Sequence, residues 1–179
     1  MSDQRVGKKE VEEALLWPFL EARQRVTGKA LTFVESSERP DFICAHGNRW
    51  RVGVEVAEIT YGPDEAINDE QAVEEVYRLI ERKERSRCRP GWEYPGRTIL
   101  VLVTQELGIA DIAWLLPNDV RSDFSDHGFK EIWIADFTGY DAYGNVELFG
   151  LYPRRWWGHH RRPNPHDKPY RWRRPGARP

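Results

Sequence analysis

The sequence predicts a mixed α/β domain, α+β in the placing of its elements, with a mixed β-sheet flanked by helices. Three observations carry this. Residues 50–60 alternate apolar and polar side chains, the period of a strand. Residues 69–87 place Val73, Val76, Tyr77 and Ile80 at helical spacing. Residues 98–104 form an apolar run bounded by turn residues, the mark of a strand buried on both faces. The predicted order is α-β-β-β-α-β, followed by a short helix and two strands.

Each element has a local cause. Residues 9–26 carry Val11, Leu15, Leu16, Phe19 and Leu20 near helical spacing, and Pro18 predicts a kink or a split there. Thr27-Gly28 is a stop signal. Residues 30–35 read as a strand, 36–40 as a turn, 41–45 as a second strand and 46–49 as a hairpin loop. In the strand that follows, Trp50, Val52, Val54 and Val56 face one way, and Arg51, Gly53, Glu55 and Ala57 the other. Tyr61-Gly62-Pro63 ends that pattern, and residues 88–97 form a Pro/Gly loop after the second helix. Residues 109–116 read as a helix ending before Pro117, and 130–137 and 146–152 as strands around a turn-rich loop.

The 179 residues and 21.0 kDa suit one domain, and 40% hydrophobic with 31% charged residues is a globular composition. No apolar run approaches the ~18 residues of a bilayer span, so no membrane partner is expected. The N-terminus is polar, without an apolar signal core, and the predicted location is cytoplasmic. Cys44 and Cys88 are too few for a disulfide scaffold or a four-cysteine zinc site. Charge is unevenly spread. Residues 1–150 hold 18 Lys and Arg against 28 Asp and Glu, whereas residues 151–179 hold 9 against 1. The chain therefore divides into an acidic α/β domain, 1–152, and a basic tail rich in Pro, Arg and Trp, 153–179.

Three residues suggest chemistry together: Asp41 at the mouth of a short strand, Glu55 inside the next, and Lys83 on the following helix. A three-residue loop of His46 to Asn48 pairs Ala45 with Arg49 and Asp41 with Gly53, which leaves Glu55 one step along on the face of Asp41. Two carboxylates so placed suit Mg²⁺ or Mn²⁺, and Gly53 beside them leaves room for a metal or a ligand. Lys83 extends the apolar stripe of its helix past Ile80. It either meets an acid or snorkels to water.

Arg39-Pro40-Asp41-Phe42 followed by Gly53-Val54-Glu55-Val56, within this order of elements, resembles the PD-(D/E)xK nuclease superfamily over roughly residues 10–137. The resemblance implies a restriction-endonuclease-like core and a metal-dependent phosphodiesterase acting on DNA or RNA. It implies Asp41 and Glu55 as ligands of Mg²⁺ or Mn²⁺ with the carbonyl of Val56 beside them. It implies Lys83 as the charge-stabilising group, and Glu12 or Glu13 as an added acid from the first helix. The superfamily's in-strand lysine would fall at position 57, which here is Ala57. Some members carry it on the next helix, where Lys83 stands. The alternative is a catalytically inactive module of the same fold that binds nucleic acid or a protein partner.

The tail interleaves Arg154, Arg155, Trp156, Trp157, Arg161, Arg162, Arg171, Trp172, Arg173 and Arg174. Arginine meets phosphate and tryptophan stacks on bases, so an extended nucleic-acid arm is one expectation. The others are docking on the acidic body and a homo-oligomer interface. Glu58 reads as a strand-end residue or a further acid of the site. His46 and His127 read as turn residues, and His159, His160 and His166 as a short tract without an assigned metal.

Overall fold

The computed structural model describes residues 3–47, 50–60, 69–106, 108–109, 113, 116 and 123–161. It is a mixed α/β fold: one seven-stranded mixed sheet with helices on its faces. The elements are α1 (Asp3–Thr27), β1 (Thr32–Ser36), β2 (Phe42–His46), β3 (Trp50–Glu58), α2 (Asp69–Arg87), β4 (Thr98–Thr104), β5 (Glu131–Asp136), β6 (Glu147–Tyr152) and β7 (Gly158–His160). Short helical turns lie at Pro95–Arg97, Tyr140–Tyr143 and Arg154–Trp156. The strands lie side by side in chain order. β1 to β3 form an antiparallel meander, β3, β4 and β5 run parallel, and β5 to β7 are antiparallel again.

Two apolar layers cover the sheet. On one face α1 lays Leu16, Phe19, Leu20 and Ala22 against Val52, Val54, Val56, Ile99, Val101, Val103 and Trp133. On the other, α2 packs Ala72, Val73, Val76, Tyr77, Leu79 and Ile80 against Ala57, Leu100, Leu102, Ile132 and Ile134. The central strand β4 alternates between both layers, so all seven of its residues are buried. β3 keeps the predicted parity: Val52, Val54 and Val56 face α1, and Ala57 faces α2.

Several boundaries differ from the expectation. α1 continues through Pro18 as one helix, because burial of its apolar face outweighs the hydrogen bond that proline removes. Residues 153–161, whose periodicity predicts no strand, turn at Arg154–Trp156 and add β7 to the sheet edge. Gly150 permits this. A Cβ there would stand 2.0 Å from the carbonyl oxygen of Trp156. Trp156 tilts against Trp133, and Trp157 packs on Phe124 and Phe149. Residues 162–179, with Arg162, Arg171, Trp172, Arg173 and Arg174, lie outside the described residues, as does most of the helix expected over 109–116.

One buried ion pair ties the layers. Arg23 of α1 forks onto Glu131 at the start of β5 with two contacts of 2.7 Å, and the indole N–H of Trp133 donates to the same carboxylate. Among the described residues, no helix is long and apolar enough to cross a membrane.

Candidate active site

The hairpin register places Asp41 differently from the expectation, and closer to its partner. His46 pairs with Trp50 and Phe42 with Val54, so the residues between the strands are 47–49 rather than 46–48. The ladder moves by two positions, and Asp41 comes opposite Glu55 instead of Gly53. An even shift conserves parity, so the two acids stay on one face. The backbone N–H of Asp41 donates to Glu55 Oε2 at 3.2 Å, and the N–H of Val56 donates to Asp41 Oδ2 at 2.8 Å.

Lys83 completes the group. It stands on α2 just past the apolar stripe that seats the helix on the sheet, and its ammonium reaches the strand below. Nζ donates to Glu55 Oε1 and, at 3.2 Å, to the carbonyl oxygen of Val56. Glu55 is 5% exposed, so it belongs to the interior and not to a solvated sheet face. A buried carboxylate needs such partners, since charge removed from water is costly unless it is paired and hydrogen-bonded. The four residues form a closed circuit: Asp41 to Glu55, Glu55 to Lys83, Lys83 to Val56, and Val56 back to Asp41.

Gly53 has a role other than the one expected of it. The space its missing side chain leaves is filled by the ring of Pro40. A Cβ there would lie 2.5 Å from Pro40 Cγ and 3.0 Å from Thr98 Oγ1. Gly53 thus seats the residue that precedes Asp41. Thr98 Oγ1 accepts from the buried indole of Trp92 and donates to the carbonyl of Tyr94, and the N–H of Glu93 donates to the carbonyl of Arg39. The loop after α2 therefore braces the segment carrying Asp41. No local pattern in the sequence announces this, because Pro40, Gly53 and Thr98 meet only through strand register.

The other sequence candidates fall elsewhere. Glu12 and Glu13 are half-buried on α1, which packs its apolar face on the opposite side of the sheet from α2 and Lys83. Glu58 is exposed and accepts from the side-chain amide of Gln105 at 2.8 Å. His159 Nε2 meets Glu147 Oε2 at 2.6 Å, and His160 Nε2 meets the carbonyl of Trp156 at 2.8 Å. Burial holds the His159 imidazole below its ordinary pKa despite the neighbouring Glu147 carboxylate. With Arg25 and Arg161, these two histidines line a cavity of about 390 Å³ on the α1 side. His46 is the last residue of β2, paired with Trp50, and not the turn residue expected; its Nδ1 donates to the carbonyl of Ala30 at 2.9 Å. His166 lies outside the described residues.

Asp41, Glu55 and the Val56 carbonyl offer hard oxygen donors of the kind Mg²⁺ and Mn²⁺ take. The ammonium of Lys83 already meets two of these three groups. Among the described residues, no group of three or more His, Cys, Asp and Glu side chains converges as a metal site. No protein-family model, curated protein or solved structure matches the chain significantly.

Proposed function

We propose that the chain is a metal-dependent phosphodiesterase of the PD-(D/E)xK type, a nuclease acting on DNA or RNA. The observation that carries this is the meeting of Asp41, Glu55, the Val56 carbonyl and Lys83 at one point of the sheet. The order α1-β1-β2-β3-α2-β4, with β3 and β4 parallel, supports a restriction-endonuclease-like core. In this reading Asp41, Glu55 and the Val56 carbonyl hold Mg²⁺ or Mn²⁺. When bound, the ion polarises a phosphoryl oxygen and lowers the pKa of a water. Lys83 places positive charge where negative charge grows on the attacked phosphate. Its arrival from α2 makes up for Ala57 in the strand. Glu13, on α1 across the sheet, is given no role in this reading.

The test is cleavage of labelled single- and double-stranded DNA and RNA, in Mg²⁺ or Mn²⁺ and in EDTA. Wild type is compared with Asp41→Ala and Glu55→Ala. Metal-dependent cleavage lost in both variants is the expected result. Equal cleavage by wild type and both variants sinks the assignment.

The second reading is a non-catalytic module of this fold that binds nucleic acid or a basic protein partner, alone or as a homo-oligomer. Ala57 and the pairing of Glu55 with Lys83 favour it, since a carboxylate already neutralised by an ammonium is a complete structural unit. It predicts binding without cleavage in any metal.

A further inference from the structure

At the end of β3 remote from Glu55, the indole of Trp50 is 55% exposed. The guanidinium of Arg97 lies over its ring, 4.7 Å from the centroid. Arg97 ends the turn Pro95–Arg97 that leads into β4, and its N–H donates to the carbonyl of Tyr94 at 2.8 Å. Tyr94 is itself exposed, with φ 53° and ψ 45°, and among the described residues it is the one non-glycine residue at positive φ. A tyrosine adopts that backbone conformation at a cost, and such residues concentrate at ligand sites.

We propose that Trp50, Arg97 and Tyr94 form a stacking platform for single-stranded nucleic acid. The platform stands independently of the phosphodiesterase reading. An exposed indole partnered by guanidinium offers a π-face to a base and a cation to its phosphate. Only an unpaired strand has bases free to stack there, which selects a single strand over a duplex. Trp50 shares the parity of Val52, Val54 and Val56, so the platform lies on the α1 side of the sheet, the side opposite Glu55. Arg51 follows Trp50 and Arg39 precedes Pro40-Asp41, two further exposed cations in the neighbouring segments. The acids in the same segments are Glu38 and Glu93, both exposed. The brace from Glu93 N–H to the Arg39 carbonyl, 2.9 Å, joins the platform's loop to the segment carrying Asp41.

The experiment is fluorescence anisotropy with labelled single-stranded DNA and RNA 12-mers and a blunt duplex, in EDTA at low salt, using the full chain. Wild type, Trp50→Ala, Arg97→Ala and Trp50→Phe are compared, with melting curves to show that each folds. Trp50→Ala weakens single-strand binding by about 5- to 150-fold, the loss of one stacked base. Trp50→Phe recovers much of it, and duplex binds more weakly throughout. Equal affinity of wild type and Trp50→Ala, preference for duplex, or absence of single-strand binding by wild type overturns the platform. Because EDTA stops metal-dependent cleavage, a failed nuclease assay leaves this result standing, and the converse holds.

Discussion

Lys83 and Glu55 are paired across 28 residues of sequence, and the same ammonium donates to the carbonyl of Val56. Lys83 therefore occupies oxygens that a divalent ion would use. Replacing it with Met has two opposed consequences. In the phosphodiesterase reading, cleavage falls by about 10²–10³-fold, the usual effect of removing one charge-stabilising donor. Mn²⁺ affinity, read by calorimetry, holds or rises, because the competing ammonium is gone. Weaker Mn²⁺ binding in Lys83→Met would make the lysine an organiser of the site and not a competitor.

Gly53→Ala tests the seating of Asp41. The new Cβ meets the Pro40 ring at 2.5 Å and has no room on the Thr98 side. Overpacking of this kind costs about 1–3 kcal/mol. Urea denaturation reads that loss. In the phosphodiesterase reading, cleavage and Mn²⁺ affinity fall beyond what stability explains, since Pro40 carries Asp41 with it. Unchanged Mn²⁺ affinity would show that Asp41 is positioned independently of Pro40.

Arg23→Met leaves Glu131 buried and without its fork, and both side chains are nearly inaccessible, at 4% and 3%. The expected cost is about 3–5 kcal/mol in chemical denaturation. Arg23→Met/Glu131→Leu regains most of it, because no orphaned charge remains. Burial pulls the Glu131 carboxyl up, and the Arg23 fork with the Trp133 N–H outweighs it, leaving a pKa below the ordinary value. The stability from this depression is fully present above the unfolded carboxyl's ~4.3 and is lost as pH falls through the folded value. The urea midpoint of wild type therefore drops on acidification below about pH 4.3, and that of Glu131→Gln drops less.

The two thiols separate cleanly. Burial pushes Cys44 up to about 12, against a small opposing effect from Arg23, while Cys88 is exposed. The thiolate is the reactive form, so the native protein gives one fast equivalent with a thiol reagent and the denatured protein two. Two fast equivalents from native protein would place Cys44 in an open part of the fold.

The order of elements and the acidic pair were legible in the residues themselves. Alternation in 50–58 marked β3 and its faces, the 69–87 spacing marked α2, and the apolar run 98–104 marked a strand buried on both sides. These are one-dimensional periodicities, and the chain need not fold for them to be read. What makes a site of Asp41 and Glu55 is less local. Their direct opposition depends on which residues turn the β2–β3 hairpin, a choice made by packing on both faces. The place of Lys83 depends on the height at which α2 settles on the sheet. Gly53 owes its role to the return of Pro40 over β3, and β7 forms because Trp156 and Trp157 find the core beyond a break in periodicity. Register, helix seating and edge-strand addition are decided by contacts between residues far apart in the chain. Only the tertiary structure resolves them, because packing energy is shared among elements and belongs to none alone.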